Sequence, residues 1–493
     1  MMASSPRRSW AARERCRSRI ASLALAKACR NTEPAGSKPT MKARIAQIWE
    51  TVSSSLWFVP SVMTLLALCL ALAGIAFDVA TDDTSGWAYG GGPDGAREVL
   101  SAIAGSMITV AGVAFSITIV ALTLASQQFG PRLLRNFMRD RGNQVVLGTF
   151  IATFTYCLIV LRTIRSSDSD FVPHVSVTVA ILLALASLGV LIYFIHHAAV
   201  SIQAPEVIAM VATDIEEGIE RLFPEKIGHP PEEDQADISD EIVGDFEVNG
   251  DTLSATESGY LQSIHNDGLM EVAKENNLVL LLKCRPGDFV VPGGELAKCR
   301  PRGRVNDEVA NAIQRAFIFG TQRTHLQDVE FSIEQLVEVA VRALSPGVND
   351  PFTAINCIDR IAAVLCLLAQ RSFPSPLRYD DEGNLRVIAR PVTFAGIVNA
   401  AFDPIRQYGR SSVAVTIRLL EAISTIASCT ERERDREALL NQALMIERGS
   451  HEAVPEEKDR ADVEERFKKA LEALRCGLIL RGANEDRAGE FKL

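Results

Sequence analysis

The chain has 493 residues, 47% of them hydrophobic and 23% charged, with a formal net charge of -10. Acidity of that size argues against a nucleic-acid partner, and a mean hydropathy of +0.12 beside so many charges points to segregation of apolar from charged residues. The ten cysteines are scattered without the close pairs that metal sites or redox motifs need, so they read as reduced thiols.

Residues 1–48 are a basic N-terminal extension, "MMASSPRRSWAARERCRSRI" at its start, with too short an apolar run for a cleaved secretory signal. The composition suits a disordered tail, and Met41, which opens "MKARIAQIWE", is as good a start as Met1. Residues 49–204 then carry four apolar stretches, about 56–77, 99–126, 144–161 and 175–195, each free of Asp, Glu, Lys and Arg. A helix needs about 20 apolar residues to cross a bilayer core, and one central charge costs about 3 kcal/mol, so these stretches predict a four-helix transmembrane domain.

The loops set its direction. "FGPRLLRNFMRDRGN" holds Arg132, Arg135, Arg139 and Arg141 against Asp140, whereas "DVATDDTSGWAYGGGPDGARE" is mainly acidic and glycine-rich. The arginine loop therefore belongs in the cytoplasm together with both termini, in a multi-pass protein of the bacterial inner membrane. Pro131 marks a break after the second span and opens a fresh amphipathic helix, from which Arg132, Arg135 and Arg139 can meet anionic lipid headgroups. His196 and His197, just past the fourth span, read as interfacial residues because no carboxylate or cysteine is spaced with them.

In the second span Gly105, Thr109, Gly112, Ser116 and Thr123 share one stripe of the helix. Such a stripe serves either close helix packing, or the wall of a water-filled path that a homo-oligomer would close.

Past Pro205 the chain becomes soluble in character. An amphipathic helix and an acidic linker fill 205–240, followed by a small β module at 241–304 built from "DTLSATESGYLQSI", "NLVLLLKC" and "DFVVPGGELAKC", with a short helix at "NDGLMEVAKEN". Residues 305–429 read as an α-helical cytoplasmic domain, and 430–493 as a charged helical tail. Within the helical domain "SPGVNDP" is turn chemistry, with Asp350 capping a helix that starts at Pro351, and "FDPIRQYG" repeats the device with Asp403 and Pro404. Asn349 is left over by that explanation, and with His325, Asp328, Arg342 and Asp350 it makes up a candidate polar network. No catalytic, metal or cofactor pattern emerges from these spacings.

Two resemblances follow. "RPGDFVVPGGELAKC" resembles half of a barrel-sandwich hybrid domain, with Gly287, Val290, Gly294 and Leu296 at its turn and core positions. An inserted helix and the missing carrier lysine imply an adaptor without a carried cofactor. "GVAFSITIVALTLASQQFGPRLLRNFMRDRGNQVVLGTF", "SGYLQSI", "RPGDFVVPGG" and "RALSPGVNDPFTAINCIDR" together resemble a family of bacterial predicted membrane proteins of unknown function, DUF2254, from about Trp49 to Cys429. The resemblance implies an integral membrane protein with a soluble C-terminal region and transfers no catalytic residue. The expected function is an oligomeric channel or transport-like protein gated by its soluble part; the alternative is a membrane-anchored sensor or scaffold, with an enzyme ranked last.

Overall fold

The apolar stretches become four helices, α1 (Phe58–Ala80), α2 (Pro93–Phe129), α3 (Arg141–Thr163) and α4 (His174–Ser201). The computed structural model describes residues 57–81, 89–130, 140–165, 171–223 and 240–489. The basic extension, the 131–139 connection with Arg132, Arg135 and Arg139, and most of the acidic linker lie outside the described residues.

Helix α3 packs against the other three and is central, with 56% of its most apolar window buried against 11%, 11% and 22% for α1, α2 and α4. Leu65, Leu66, Leu72, Leu182, Leu185 and Ile192 consequently stay exposed on the outer helices. A contiguous apolar surface of this kind calls for lipid or another protein around it. Several polar groups of the bundle find their partners inside it. Thr64 donates to the carbonyl of Pro60 (2.7 Å), Thr153 and Ser187 share a buried bond at 3.1 Å, and the Tyr156 hydroxyl donates to the carbonyl of Ser176 (3.0 Å). At the end of α1, Asp78 caps α4 by accepting from the amides of Val175 (2.9 Å) and Ser176 (3.0 Å) and from the Ser176 hydroxyl (2.6 Å).

Helix α2 exceeds its predicted span at both ends. Its 37 residues start from Pro93 in the first turn, where the missing N–H costs nothing, and give a rod about 55 Å long. That exceeds a bilayer core of about 30 Å, and the C-terminal end, at Ala125 and Phe129, enters the apolar core built by the residues after 204.

The rest of the chain begins with α5 (Ala204–Leu222), whose buried Val207, Ile208, Val211, Ile215 and Ile219 form one apolar stripe. A helix α6 (Asp240–Asn249) leads into two sheets. β1 (Asp251–Ser254), β2 (Gly259–Ile264), β3 (Val279–Leu282), β4 (Phe289–Val290) and β5 (Glu295–Arg300) fall in the expected segments, with α7 (Asn266–Glu275) between β2 and β3. The module is larger than residues 241–304, however. After α8 (Asp307–Arg315), strand β6 (Phe317–Gly320) joins β2, and β7 (Leu377–Tyr379) and β8 (Leu385–Ile388) arrive from inside the helical region. The strand orders are β1-β5-β3-β8-β7 and β4-β2-β6, with β3 and β8 parallel. The module's core is closed by Leu261, Leu280, Leu296 and Ala297 from the expected strands and by Val387 from β8.

The remaining helices are α9 (Val329–Ala343), α10 (Pro351–Ala369), α11 (Phe394–Gly409), α12 (Val413–Cys429), α13 (Glu433–Ala453) and α14 (Glu457–Gly489). Counting α10, five helices among the described residues are long and apolar enough to cross a membrane. The neighbours of α10 set it apart: it packs against α5, α9, α11 and α12, and its Cys357, Ile358, Ile361, Val364, Leu365 and Leu368 lie in the core they share.

One expected helix break is absent. Pro404 lies inside α11, which is capped instead by Thr393 accepting from the Gly396 amide at 3.1 Å. Ile397, Val398, Ala401, Phe402 and Ile405 are all buried along this helix, and their apolar face carries it through the proline. Asp403 does not cap a helix: it accepts from Arg406 at 3.0 Å and from the buried Gln442 at 2.9 Å.

Candidate functional site

The stripe on α2 faces away from the rest of the bundle. Gly105, Thr109, Gly112, Ser116 and Thr123 are all exposed, and Ala102 and Ile119 continue their alternating spacing of four and three. Each hydroxyl donates to its own helix, Thr109 to Gly105 (2.8 Å), Ser116 to Gly112 (2.9 Å) and Thr123 to Ile119 (2.8 Å). These bonds satisfy the donors without water. The spacing is that of a helix seam, and the small side chains would let another backbone come close.

The same helix ends inside the apolar core formed by α5 and α9. Ala125 and Phe129, at 1% and 4% exposure, share one apolar cluster with Val207 and Ile208 of α5 and with Ile333, Leu336 and Val337 of α9. The last turn of a helix leaves carbonyls without intrahelical partners. Here Arg342 of α9 donates from Nη1 to the carbonyl of Gln127 at 3.3 Å, while its Nη2 meets Glu338 Oε1 at 3.3 Å. The chain leaves α2 through Gly130, whose φ of +105° is a conformation that side chains with a Cβ rarely adopt. A Cβ there would also fall 2.3 Å from Glu338 Oε1.

The opposite end of α9 meets the β module. Asp328, 3% exposed, caps α9 by accepting from the Phe331 amide at 3.0 Å. Arg323 pairs with Asp328 and with Glu334, both at 2.8 Å. Gly287, in the "RPGD" turn, has φ +99° and sits so near that a Cβ would be 2.4 Å from Asp328 Oδ2. Gln327 takes the place of a strand residue beside β2, accepting from the Ile264 amide (2.9 Å) and donating to the Ile264 carbonyl (3.2 Å). Arg285 of the module also pairs with Glu330 of α9 at 2.6 Å.

The five residues grouped as a polar network are thus not one site. Asp328 and His325 lie at the start of α9, where the His325 carbonyl accepts from Arg221 at 3.2 Å. Arg342, Asn349 and Asp350 lie at its far end, about 22 Å away along a helix of 15 residues. Asn349 has φ +50°, and its amide donates to the Ser345 carbonyl at 2.9 Å. Asparagine tolerates this left-handed conformation better than other residues with a side chain. The residue left unexplained by turn chemistry is therefore itself a turn residue. Asp350 caps α10, accepting from the amides of Phe352 and Thr353 (both 3.1 Å) and from the Thr353 hydroxyl (2.6 Å); that hydroxyl and the two amides lower its pKa.

Pairing from sequence missed Asp140 with His197. Asp140 caps α3 by accepting from the Gly142 amide at 2.8 Å, and its other oxygen lies 2.6 Å from His197 Nε2 near the end of α4. Their 57-residue separation hides the contact from any spacing argument. Among the described residues no group of three His, Cys, Asp or Glu side chains could hold a metal ion. The described cysteines are free, and burial pushes the Cys284 and Cys299 thiols up to about 12.

A family model described as "Predicted membrane protein (DUF2254)" matches residues 53–425. An uncharacterised protein of Mycobacterium bovis is 35% identical over 382 residues, covering 76% of this chain and 72% of its own length. Uncharacterised proteins from two strains of Mycobacterium tuberculosis match equally, at 35% identity over the same shares. No solved structure matches the chain.

Proposed function

The chain belongs to the DUF2254 family of predicted membrane proteins, and from that premise we propose that it is a four-span inner-membrane protein, an oligomeric channel or transport-like protein gated by its soluble region. In this reading α1 to α4 cross the bilayer and α10 does not. The ends of α2 and α4 and the start of α3 face the cytoplasm, as do both termini. The distribution of contacts supports it: Asp140 and His197 tie two of these ends together, while α2 enters the soluble core at the third.

The observation that carries the gating reading is the continuity of α2. One unbroken helix bears the exposed small-residue stripe and ends beneath Arg342, so displacement of α9 would be passed to the stripe without an intervening hinge. Reconstitution in liposomes tests the channel, with ion flux the expected result; no conductance under any ionic condition sinks it. Disulfide cross-linking tests the oligomer. A Thr109→Cys variant should cross-link between copies in membranes, whereas Leu185→Cys on α4 should not. Reporter fusions near residues 90 and 450 should be found on opposite sides of the membrane.

A sensor or scaffold is the second reading. It is favoured by the hydroxyls of the stripe, which bond to their own helix and need no water, so the face can serve packing alone. Cross-linking at Thr109 without flux would select it. Neither reading involves chemistry by the chain, and a purified protein that consumed a lipid or nucleotide would overturn both.

A further inference from the structure

A cavity of about 190 Å³ lies where α11, α12 and α13 meet, away from the junction of α2 with α9. Three arginines line it, Arg406 and Arg410 from the end of α11 and Arg448 from α13, against one carboxylate, Glu452. The rest of the wall is the Gln407 amide beside Arg406, with Leu419 and Thr416 from α12 and Met445 and Ile446 from α13.

The charges in this cavity are poorly compensated. Arg406 gives one Nη2 bond to Asp403 at 3.0 Å, but its Nε is buried with no acceptor. A buried guanidinium donor left without a partner is among the more costly polar defects of a fold. The side chains of Arg410 and Arg448 take part in no hydrogen bond or ion pair among the described residues. This is unusual here, because most arginines of the soluble region are paired, such as Arg386 with Asp380, Arg418 with Asp359 and Arg432 with Asp435. The one hydroxyl of the wall is already committed, since Thr416 donates to the Ser412 carbonyl at 2.9 Å. Beside the Gln407 amide, the donors left to act are therefore cationic.

We propose that this cavity is a binding site for a small anion carrying a phosphate group. Guanidinium forks match phosphate oxygens, and the buried Arg406 Nε–H supplies a donor that only an entering acceptor can satisfy. The volume equals about six waters at about 30 Å³ each, enough for a phosphate with a short body resting on Leu419 and Met445. It is smaller than the roughly 300–1,000 Å³ of sites that enclose drug-sized ligands, so a whole nucleotide does not fit. A soluble phosphomonoester and the headgroup of an anionic phospholipid share this chemistry.

The test uses the full chain in detergent, with glycerol phosphate and inorganic phosphate as probes in a thermal-shift titration, and potassium chloride matched for ionic strength as the reference. Saturable stabilisation by either phosphate and not by chloride is expected. The variants are Arg410→Gln and Arg448→Gln, both on exposed side chains, so folding is retained. Each should weaken binding about tenfold or more, the scale of one charge-assisted hydrogen bond. A second arm places the protein in nanodiscs of phosphatidylglycerol or phosphatidylcholine. Stabilisation by phosphatidylglycerol that the variants abolish, without a response to soluble phosphate, identifies the headgroup as the source. The proposal is overturned if neither soluble phosphate nor phosphatidylglycerol stabilises the protein, or if the double variant responds as the parent does.

Discussion

Arg342 reaches from the last turn of α9 to the carbonyl of Gln127 in the last turn of α2, at 3.3 Å. The bond joins two residues 215 positions apart and ties the soluble helices to the longest apolar helix of the described chain. Because the Arg342 side chain is 36% exposed, solvent screens part of its value, and Arg342→Ala should lower stability by no more than about 1 kcal/mol. Its local effect should be larger. Hydrogen exchange at the amides of residues 125–130 should speed up while exchange within α3 is unchanged. Gly130→Ala, by contrast, forces a Cβ into φ +105° and should cost about 1–3 kcal/mol. Equal protection at residues 125–130 in parent and Arg342→Ala would show that the bond does not hold the end of α2.

The turn after α9 gives a graded series. Asn349 holds φ +50° through its backbone, so Asn349→Gly should be close to neutral, whereas the β-branched Asn349→Val should cost about 1–2 kcal/mol. Asp350→Ala removes the cap of α10 and should cost about 1 kcal/mol, with Asp350→Asn or Asp350→Ser recovering most of it. Thermal denaturation of the five variants would order them. A destabilising Asn349→Gly would mean that the asparagine side chain matters beyond its backbone.

This turn also marks how much the sequence disclosed. The four long apolar runs, the five strands before Arg300 and the cap at Asp350 were legible, since each rests on local periodicity or on a residue within a few positions of its partner. The cap at Asp328 was equally local, its partner Phe331 lying three positions on, but the close approach of Gly287 to Asp328 and the link of Arg342 to Gln127 were not legible, because those partners are set by tertiary packing. Strands β6, β7 and β8 were not, because they lie among helical segments and take their partners at a distance: β6 joins β2, and β8 pairs in parallel with β3 more than a hundred positions earlier. The reading of Pro404 as a helix start failed for a related reason. A local signal, proline after aspartate, was overridden by a buried face whose extent only the packed core reveals.

Acid should loosen the edge of the larger sheet. Asp380, whose side chain is 1% exposed, accepts from Arg386 Nε at 2.7 Å, and that bond with those from the Glu382 and Asn384 amides lowers its pKa to about 2. An unfolded aspartate titrates near 3.9, so the folded carboxyl is the more acidic one. Its contribution is fully present above about pH 4 and is lost as pH falls through the folded value near 2. Asp380→Asn should therefore melt below the parent at pH 7, and the gap should close between about pH 4 and 2. A gap that stayed constant over this range would exclude the linkage.

The boundary of a foldable soluble fragment separates two ways of cutting the chain. Taken as β module plus helical domain, the soluble region would start near residue 242, after the acidic linker. The packed core says otherwise, because Val207, Ile208, Val211, Ile215 and Ile219 of α5 are each at most 1% exposed and cover Ile333, Leu336 and the inner face of α10. Burying one such side chain contributes about 1.5–3 kcal/mol, so removing five is comparable to the whole net stability of about 5–15 kcal/mol typical of a domain. A fragment of residues 204–493 should be soluble and show a cooperative melt, while 242–493 should aggregate or bind hydrophobic dyes. Phe129 and Ala125 of α2 complete the same surface, so even the longer fragment should gain stability when their sites are filled, as Ile333→Phe or Val337→Ile would attempt. Circular dichroism and size-exclusion chromatography decide it: a well-folded 242–493 would mean that α5 belongs with the membrane helices rather than with the soluble core.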